Sequence, residues 1–251
     1  ILDNIREIDI GNEDACLHAD GDKGPKGEVV QLEQFASSAL ELALGRGGDQ
    51  AVIKNVDNFE FYGGKTKAVE KRNKVKARII SHALRQLIDQ SETVYIMGHR
   101  TPDMDCFGAA IGVFRAVKNR NKEAHIILSS VNAAIENVYR SFENNDEYSF
   151  LKCDDAILNF TNKDLLVVVD THRPSYTECS GLLEVAHNVV LIDHHRRGRE
   201  FIDDTVLKYL EPYASSTCEL VTEILQYMDT KPKINIKKGE AEALLAGITV
   251  D

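Results

Sequence analysis

The run "LLVVV" at 165–169 offers no polar residue to turn toward water, so a strand built from it must be covered on both faces. Similar runs, "TVYIM" at 93–97, "AHIIL" at 124–128 and "NVVLI" at 188–192, alternate with "FGAAIGVFRAVKN", "NAAIENVYRSF" and "ECSGLLEVA", whose apolar residues recur at helical spacing. That rhythm predicts βαβ units, hence an α/β domain with a mostly parallel sheet flanked by helices. Two more helices are expected after it. One lies in "KYLEPYASSTCELVTEILQYM", capped at Ser215, Ser216 or Thr217, and one in "KKGEAEALLAG".

The front of the chain reads differently. "LEQFASSALELAL" at 32–44 has helical spacing, Gly45 offers a left-handed stop, and "QAVIK" and "FEFYGG" read as short strands. From Lys65 to Gln90 the pattern suits one long helix. The expected division is a small α+β piece over 1–64, a linker helix over 65–91, and the α/β domain over 92–251. "ILDNIREIDI" at the start has the look of a helix entered midway, so the chain reads as a fragment of a longer protein.

Charge and cysteine usage narrow the function classes. With 30 Lys and Arg against 40 Asp and Glu, the net charge of -10 argues against a coat for duplex nucleic acid, which needs concentrated positive surface. The basic run from Lys65 to Arg78 covers several helical faces and reads as a solvated linker. Five scattered cysteines without a C-x-x-C pair signal neither a disulfide framework nor a structural zinc, and a reducing cytosol fits them. No apolar run reaches the roughly 20 residues that span a bilayer.

In an open parallel sheet, ligands gather beyond the carboxyl ends of the strands. Here "TVYIM" leads to His99, Asp103 and Asp105, "LLVVV" to Asp170 and His172, "NVVLI" to Asp193, His194 and His195, and "GITV" to Asp251. Singly, each is an ordinary cap or turn former. Brought to one rim, they would repel unless a cation offset them. A carboxylate and imidazole set without thiolate favours Mn²⁺, with Mg²⁺, Fe²⁺ or Co²⁺ as alternatives, over a closed zinc site. Six or so ligands exceed what one open ion needs, and two ions about 3.5 to 4 Å apart would use them all. Arg100, Arg173, Arg196 and Arg197 flank the same clusters and suit a phosphate-bearing substrate. Gly108, Ala109 and Ala110 should let the following helix approach the sheet, with its N-terminus toward an anion. Cys106, beside Asp105, reads as a small buried apolar residue. Neither a G-x-G-x-x-G nor a P-loop is present.

The quartet "GHRTPDMDCFGA", "VVVDTHRPS", "VLIDHHRRG" and "LLAGITVD" resembles motifs I to IV of the DHH phosphoesterase superfamily. With "LGRGGDQAVIK" and "FYGGKTKAVEKR" added, residues 32–251 resemble the GdpP-type cyclic-di-AMP phosphodiesterases. The resemblance implies a two-manganese site that opens the cyclic dinucleotide to linear pApA. His99 and Asp103 would then hold one ion, Asp105, His194 and Asp251 the other, and Asp170 both. His195 would meet the scissile phosphate or assist the leaving oxygen, while Asp193 and His172 would orient groups from behind.

Residues 1 to about 62 resemble the end of a degenerate GGDEF domain, although 11–31 fit its glycine-rich strand region poorly. The family's membrane helices, PAS domain and DHH-associated substrate domain lie outside this sequence. The resemblance therefore implies a homodimer held at the cytoplasmic face of a bacterial membrane through preceding helices, and weak hydrolysis by the fragment alone. Two other readings use the same residues. One is a DHH nuclease or phosphatase acting on short oligonucleotides or pyrophosphate; the other is a non-catalytic signalling module braced by metal. The residues leave the choice between cyclic-di-AMP and cyclic-di-GMP open.

Overall fold

The computed structural model describes residues 5–9, 16–20, 35–40, 42, 50–54, 59–63, 66–228 and 235–250. The chain divides into two compact units, Ile1–Asn73 and Lys74–Asp251. In the first, β1 (Ile5–Asp9) pairs antiparallel with β2 (Cys16–Asp20), Ile5 lying opposite Asp20. Ile5–Asp9 is thus a strand and not part of a helix. The antiparallel partner supplies the backbone hydrogen bonds that a helix over so short a segment would have to beat. A second antiparallel pair joins β3 (Gln50–Lys54) to β4 (Phe59–Gly63), and 35–40 is helical. Gly45 lies outside the described residues.

Helix α1 (Thr66–Gln90) leads into the larger unit. There follow β5 (Thr93–Met97), α2 (Met104–Lys118), β6 (Glu123–Ile127), α3 (Glu136–Glu143), β7 (Phe150–Leu151) and α4 (Cys153–Asn159). The chain then continues through β8 (Leu165–Val169), α5 (Ser180–Val185), β9 (Val189–Asp193), β10 (Leu207–Leu210), α6 (Thr217–Met228) and α7 (Lys238–Val250). Six strands form one sheet in the order β10-β9-β8-β5-β6-β7, and every pairing is parallel. From β5 the chain winds outward one way through β6 and β7, then returns to the other side of β5 for β8. The strand order reverses between β5 and β8, which is where a doubly wound sheet opens a crevice at its carboxyl edge.

Alternate residues of each strand feed two cores. Val94, Ile96, Val167, Val169, Val190 and Ile192 face α1, α2, α6 and α7, whereas Tyr95, Met97, Leu166, Val168 and Leu191 face α4 and α5. Every residue of β8 and β9 is buried, as two-sided covering requires. Helix α1 contributes Ala77, Ile80, Leu84 and Ile88, one stripe at spacings of three and four. Lys76, part of the run read as solvated, instead donates to the Leu210 carbonyl (3.2 Å) and pairs with Glu211.

Two expectations are corrected. Gly108 makes room between helices and not between helix and sheet: a Cβ there would lie 2.6 Å from the Ala243 carbonyl oxygen of α7 and 2.8 Å from Cys218 Sγ of α6. Cys153 and Cys179 are joined in a disulfide, although no disulfide is signalled by their spacing. They are 26 residues apart, and only the docking of α4 beside α5 brings their Cα atoms to 5.3 Å.

Candidate metal centre

His99, Asp170, Asp193 and His194 sit where buried strands run out, and Asp103, Asp105 and Thr217 sit at the starts of helices. β5 ends at Met97, and His99 follows, pinned by an isolated bridge to Thr177 and 6% exposed. Asp103 caps α2, its Oδ1 accepting the Cys106 N–H at 2.9 Å. β8 ends at Val169, and Asp170 follows with φ 59°, a left-handed conformation that residues other than glycine adopt at a cost and that clusters at functional sites. That turn, with the Asp170 N–H donating to the Ile192 carbonyl (2.9 Å), sets the buried carboxylate between neighbours from three elements.

The two Asp170 oxygens face different partners. Oδ2 is 3.4 Å from His99 Nε2, which lies 3.6 Å from Asp103 Oδ2. Oδ1 accepts the Thr217 hydroxyl at 2.8 Å and lies 3.7 Å from His194 Nε2 and 3.8 Å from His195 Nδ1. His194 Nε2 is in turn 3.7 Å from Asp105 Oδ2. Two donor clusters therefore share one carboxylate.

Asp105 shows how the fold tolerates a buried charge here. Its oxygens accept the backbone N–H groups of Thr217 and Cys218, both at 2.7 Å, so the carboxylate of α2 serves the N-terminus of α6. The positive end of that helix offsets part of the charge. Glu219 closes the same turn, accepting from Ser215 while its N–H donates to Ser216 Oγ. Thr217 and this helix start, read from sequence only as a cap, are thus part of the site.

Behind the clusters, Asp193 at the end of β9 orients two imidazoles. Its Oδ2 is 2.5 Å from His172 Nδ1, and its Oδ1 is 2.7 Å from His195 Nδ1 while also accepting the His195 N–H. His172 Nε2 accepts the Gly198 N–H at 2.9 Å. Both His172 nitrogens are thus taken up within the protein, and its ring ties the 194–199 loop to β8. Burial works against ionising Asp193, but the hydrogen bonds from His172 and His195 outweigh it and hold its pKa at about 2. Stability from this carboxylate is full above its ordinary value of 3.8 and is lost as the pH falls toward about 2. The melting temperature of metal-free wild type is expected to drop over that window more steeply than that of Asp193→Asn. Parallel slopes would contradict the assignment.

The arginines separate. Arg100 and Arg173 both lie over the Tyr176 ring, at 5.4 and 5.8 Å from its centroid. Arg197 turns instead to Asp203 (3.0 Å) and the Phe201 ring (4.3 Å). Arg196 is half-buried beside the histidines. Asp251 lies outside the described residues.

The donor set fits divalent cations. Burial, reinforced by the Asp105 charge, pushes the Asp170 carboxyl up to about 6 despite hydrogen bonds from His99 and Thr217. Burial disfavours a charged His99, yet Asp103 and Asp170 outweigh it and raise its pKa. A buried carboxyl that holds its proton beside an imidazole driven toward its charged form marks a place short of positive charge, and a cation would replace those protons. His99 Nδ1 is also buried without a hydrogen-bond partner. A ring nitrogen of His99, Cys106 Sγ and an Asp170 oxygen lie within 4.8 Å of one another, as do donor atoms of Asp170, His194 and His195. Cys106 is buried as expected, with its sulfur turned toward this cluster; a Cβ on Gly98 would come within 2.1 Å of it.

A parallel sheet carrying aspartate and histidine at its switch point matches a known family. The DHH family, N-terminal domain, matches residues 93–248, and the chain belongs to that family. Its sequence is 44% identical over 256 residues to "Cyclic-di-AMP phosphodiesterase GdpP" of Geobacillus thermodenitrificans, and 44% over 257 residues to "Cyclic-di-AMP phosphodiesterase PdeA" of Listeria monocytogenes. Both matches cover 100% of this chain and 39% of the relative, so the chain spans about two fifths of those proteins. Among solved structures, an exopolyphosphatase-related protein from Bacteroides fragilis shares the fold at TM-score 0.53 and 17% identity, over 68% of this chain and 49% of that one. No helix among the described residues is long and apolar enough to cross a membrane.

Proposed function

We propose that this chain is the metal-binding part of a phosphodiesterase that opens cyclic-di-AMP to linear pApA with two Mn²⁺ ions. The observation that carries the reading is the placement of Asp170, whose Oδ2 lies by His99, itself beside Asp103, and whose Oδ1 lies by His194, itself beside Asp105. His99 and Asp103 would hold one cation, His194, Asp105 and Asp251 the second, and Asp170 both. When bound, such a pair lowers the pKa of water and neutralises charge on the phosphoryl oxygens.

The chain's own residues do the remainder. Asp193 accepts from His195 Nδ1, which fixes the tautomer, so proton exchange with the leaving oxygen falls to Nε2. Arg100, Arg173 and Arg196 grip the non-bridging oxygens. Thr217 and the start of α6 keep Asp170 and Asp105 aimed inward. On the same reading, residues 1–64 are the end of a degenerate GGDEF-like domain, joined through a linker helix at 65–91. The whole protein works as a homodimer anchored at the cytoplasmic face of the membrane by segments outside this sequence.

Chromatography of products from full-length, manganese-loaded protein tests the reading. Conversion of cyclic-di-AMP to pApA is expected, faster than cleavage of pApA, pyrophosphate or cyclic-di-GMP. Intact cyclic-di-AMP beside folded, metal-loaded protein would overturn it, and faster cleavage of pyrophosphate or short oligonucleotides would move the chain to another DHH activity.

A further inference from the structure

Arg100 and Arg173 belong to loops that follow different strands, and both side chains are exposed. Two flexible like charges on a surface do not converge unaided, because each loses rotamer freedom when fixed and each repels the other. Here one residue meets both. The Tyr176 carbonyl accepts the Arg100 N–H at 3.0 Å, and the Tyr176 N–H donates to the Arg173 carbonyl at 3.0 Å. The same residue's ring lies under both guanidinium groups, at 5.4 and 5.8 Å. Its negative face attracts each cation and partly offsets their repulsion.

The ring is itself fixed. It stacks on His99 with centroids 5.2 Å apart and planes 9° from parallel, and its hydroxyl meets Thr101 Oγ1 at 2.5 Å. Local sequence explains the placement. Pro174–Tyr176 is a single 3-10 turn begun by proline, and such a turn carries the residue at i+3 back over residue i, here Tyr176 over Arg173. Thr177 then bridges to His99. Tyr176 therefore ties two anion-binding side chains to a residue of the cation cradle.

We infer that Tyr176 is a positioning residue that gathers Arg100 and Arg173 into one clamp for a substrate phosphate, beside the His99 end of the metal centre. This rests on the reading above of a phosphodiester substrate. The clamp sets where the phosphate lies relative to the cradle and takes no part in bond breaking, so its loss should appear in KM and not in kcat.

The test uses manganese-loaded protein and methylenediphosphonate, a non-hydrolysable diphosphate, followed by calorimetry. Tyr176→Leu is expected to weaken diphosphonate binding about tenfold. Tyr176→Phe should retain most of the affinity, and Mn²⁺ affinity should not change in either. Arg100→Gln should cost less in the Tyr176→Leu background than in wild type, because the two act through one clamp. With cyclic-di-AMP as substrate, Tyr176→Leu should raise KM by a similar factor at nearly constant kcat. Wild-type affinity in Tyr176→Leu, full additivity with Arg100→Gln, or an equal loss of Mn²⁺ binding would overturn the clamp. If wild type binds the diphosphonate but leaves cyclic-di-AMP intact, the proposed substrate falls and the clamp stands.

Discussion

If the proposed function holds, Asp170→Asn in the full-length protein is expected to reduce hydrolysis of cyclic-di-AMP about a thousandfold or more, because a cation pair would supply several kcal/mol of transition-state stabilisation and Asp170 would serve both ions. The variant is informative because it spares the fold. Asparagine tolerates the left-handed backbone that Asp170 adopts at φ 59°, and its side-chain oxygen can still accept the Thr217 hydroxyl. The stability effect should run the other way. Folded Asp170 has its pKa raised to about 6, so above that pH its ionised form opposes folding in the metal-free protein. Metal-free Asp170→Asn should therefore melt no lower than wild type at neutral pH. Calorimetric Mn²⁺ titration, product assays and melting curves on the same preparations check all three statements. A variant that binds two ions and turns over normally would remove Asp170 from the centre.

The largest stability loss is expected far from the chemistry. Glu240 on α7 is fully buried, and its oxygens accept from Arg115 Nε (2.7 and 2.8 Å), from the Tyr148 hydroxyl (2.5 Å) and from the Lys237 N–H (2.8 Å). Arg115, also buried, reaches Glu147 at 2.8 Å. Burial disfavours the guanidinium charge, and Glu240 and Glu147 outweigh that and raise its pKa. Removing the carboxylate leaves the buried cation with the partly exposed Glu147 alone and takes the acceptor from the Tyr148 hydroxyl and the Lys237 N–H, so Glu240→Ala should cost about 3 kcal/mol in urea unfolding. A double change of Arg115 and Glu240 to apolar residues of similar size should recover part of it. A loss under about 1 kcal/mol for Glu240→Ala would mean that water reaches the pair.

How much of this was legible in the sequence depends on how far apart the interacting residues lie. Strands β5, β6, β8 and β9 show themselves as short unbroken apolar runs, and α2 and α6 as periodic ones, because burial on a sheet or along a helix leaves a local pattern. The acids and imidazoles at 99, 103, 170, 193 and 194 were visible for the same reason, each standing just past such a run. β7 and β10 were not, being two and four residues long at the sheet edges. Asp105 meeting the start of α6 joins residues 112 positions apart, and nothing local announces it. The Cys153–Cys179 bridge and the Tyr176 ring over two arginines depend likewise on docking. At Ile5–Asp9 the helical look of the local sequence is overridden by pairing with Cys16–Asp20, which the sequence alone does not announce.

Crystals of this chain soaked in MnCl₂ and measured at the manganese absorption edge test the central claim most directly. The account predicts two anomalous peaks at the carboxyl edge between β5 and β8, about 3.5 to 4 Å apart and on either side of the Asp170 carboxylate. A single peak, or manganese bound away from Asp170, would contradict it.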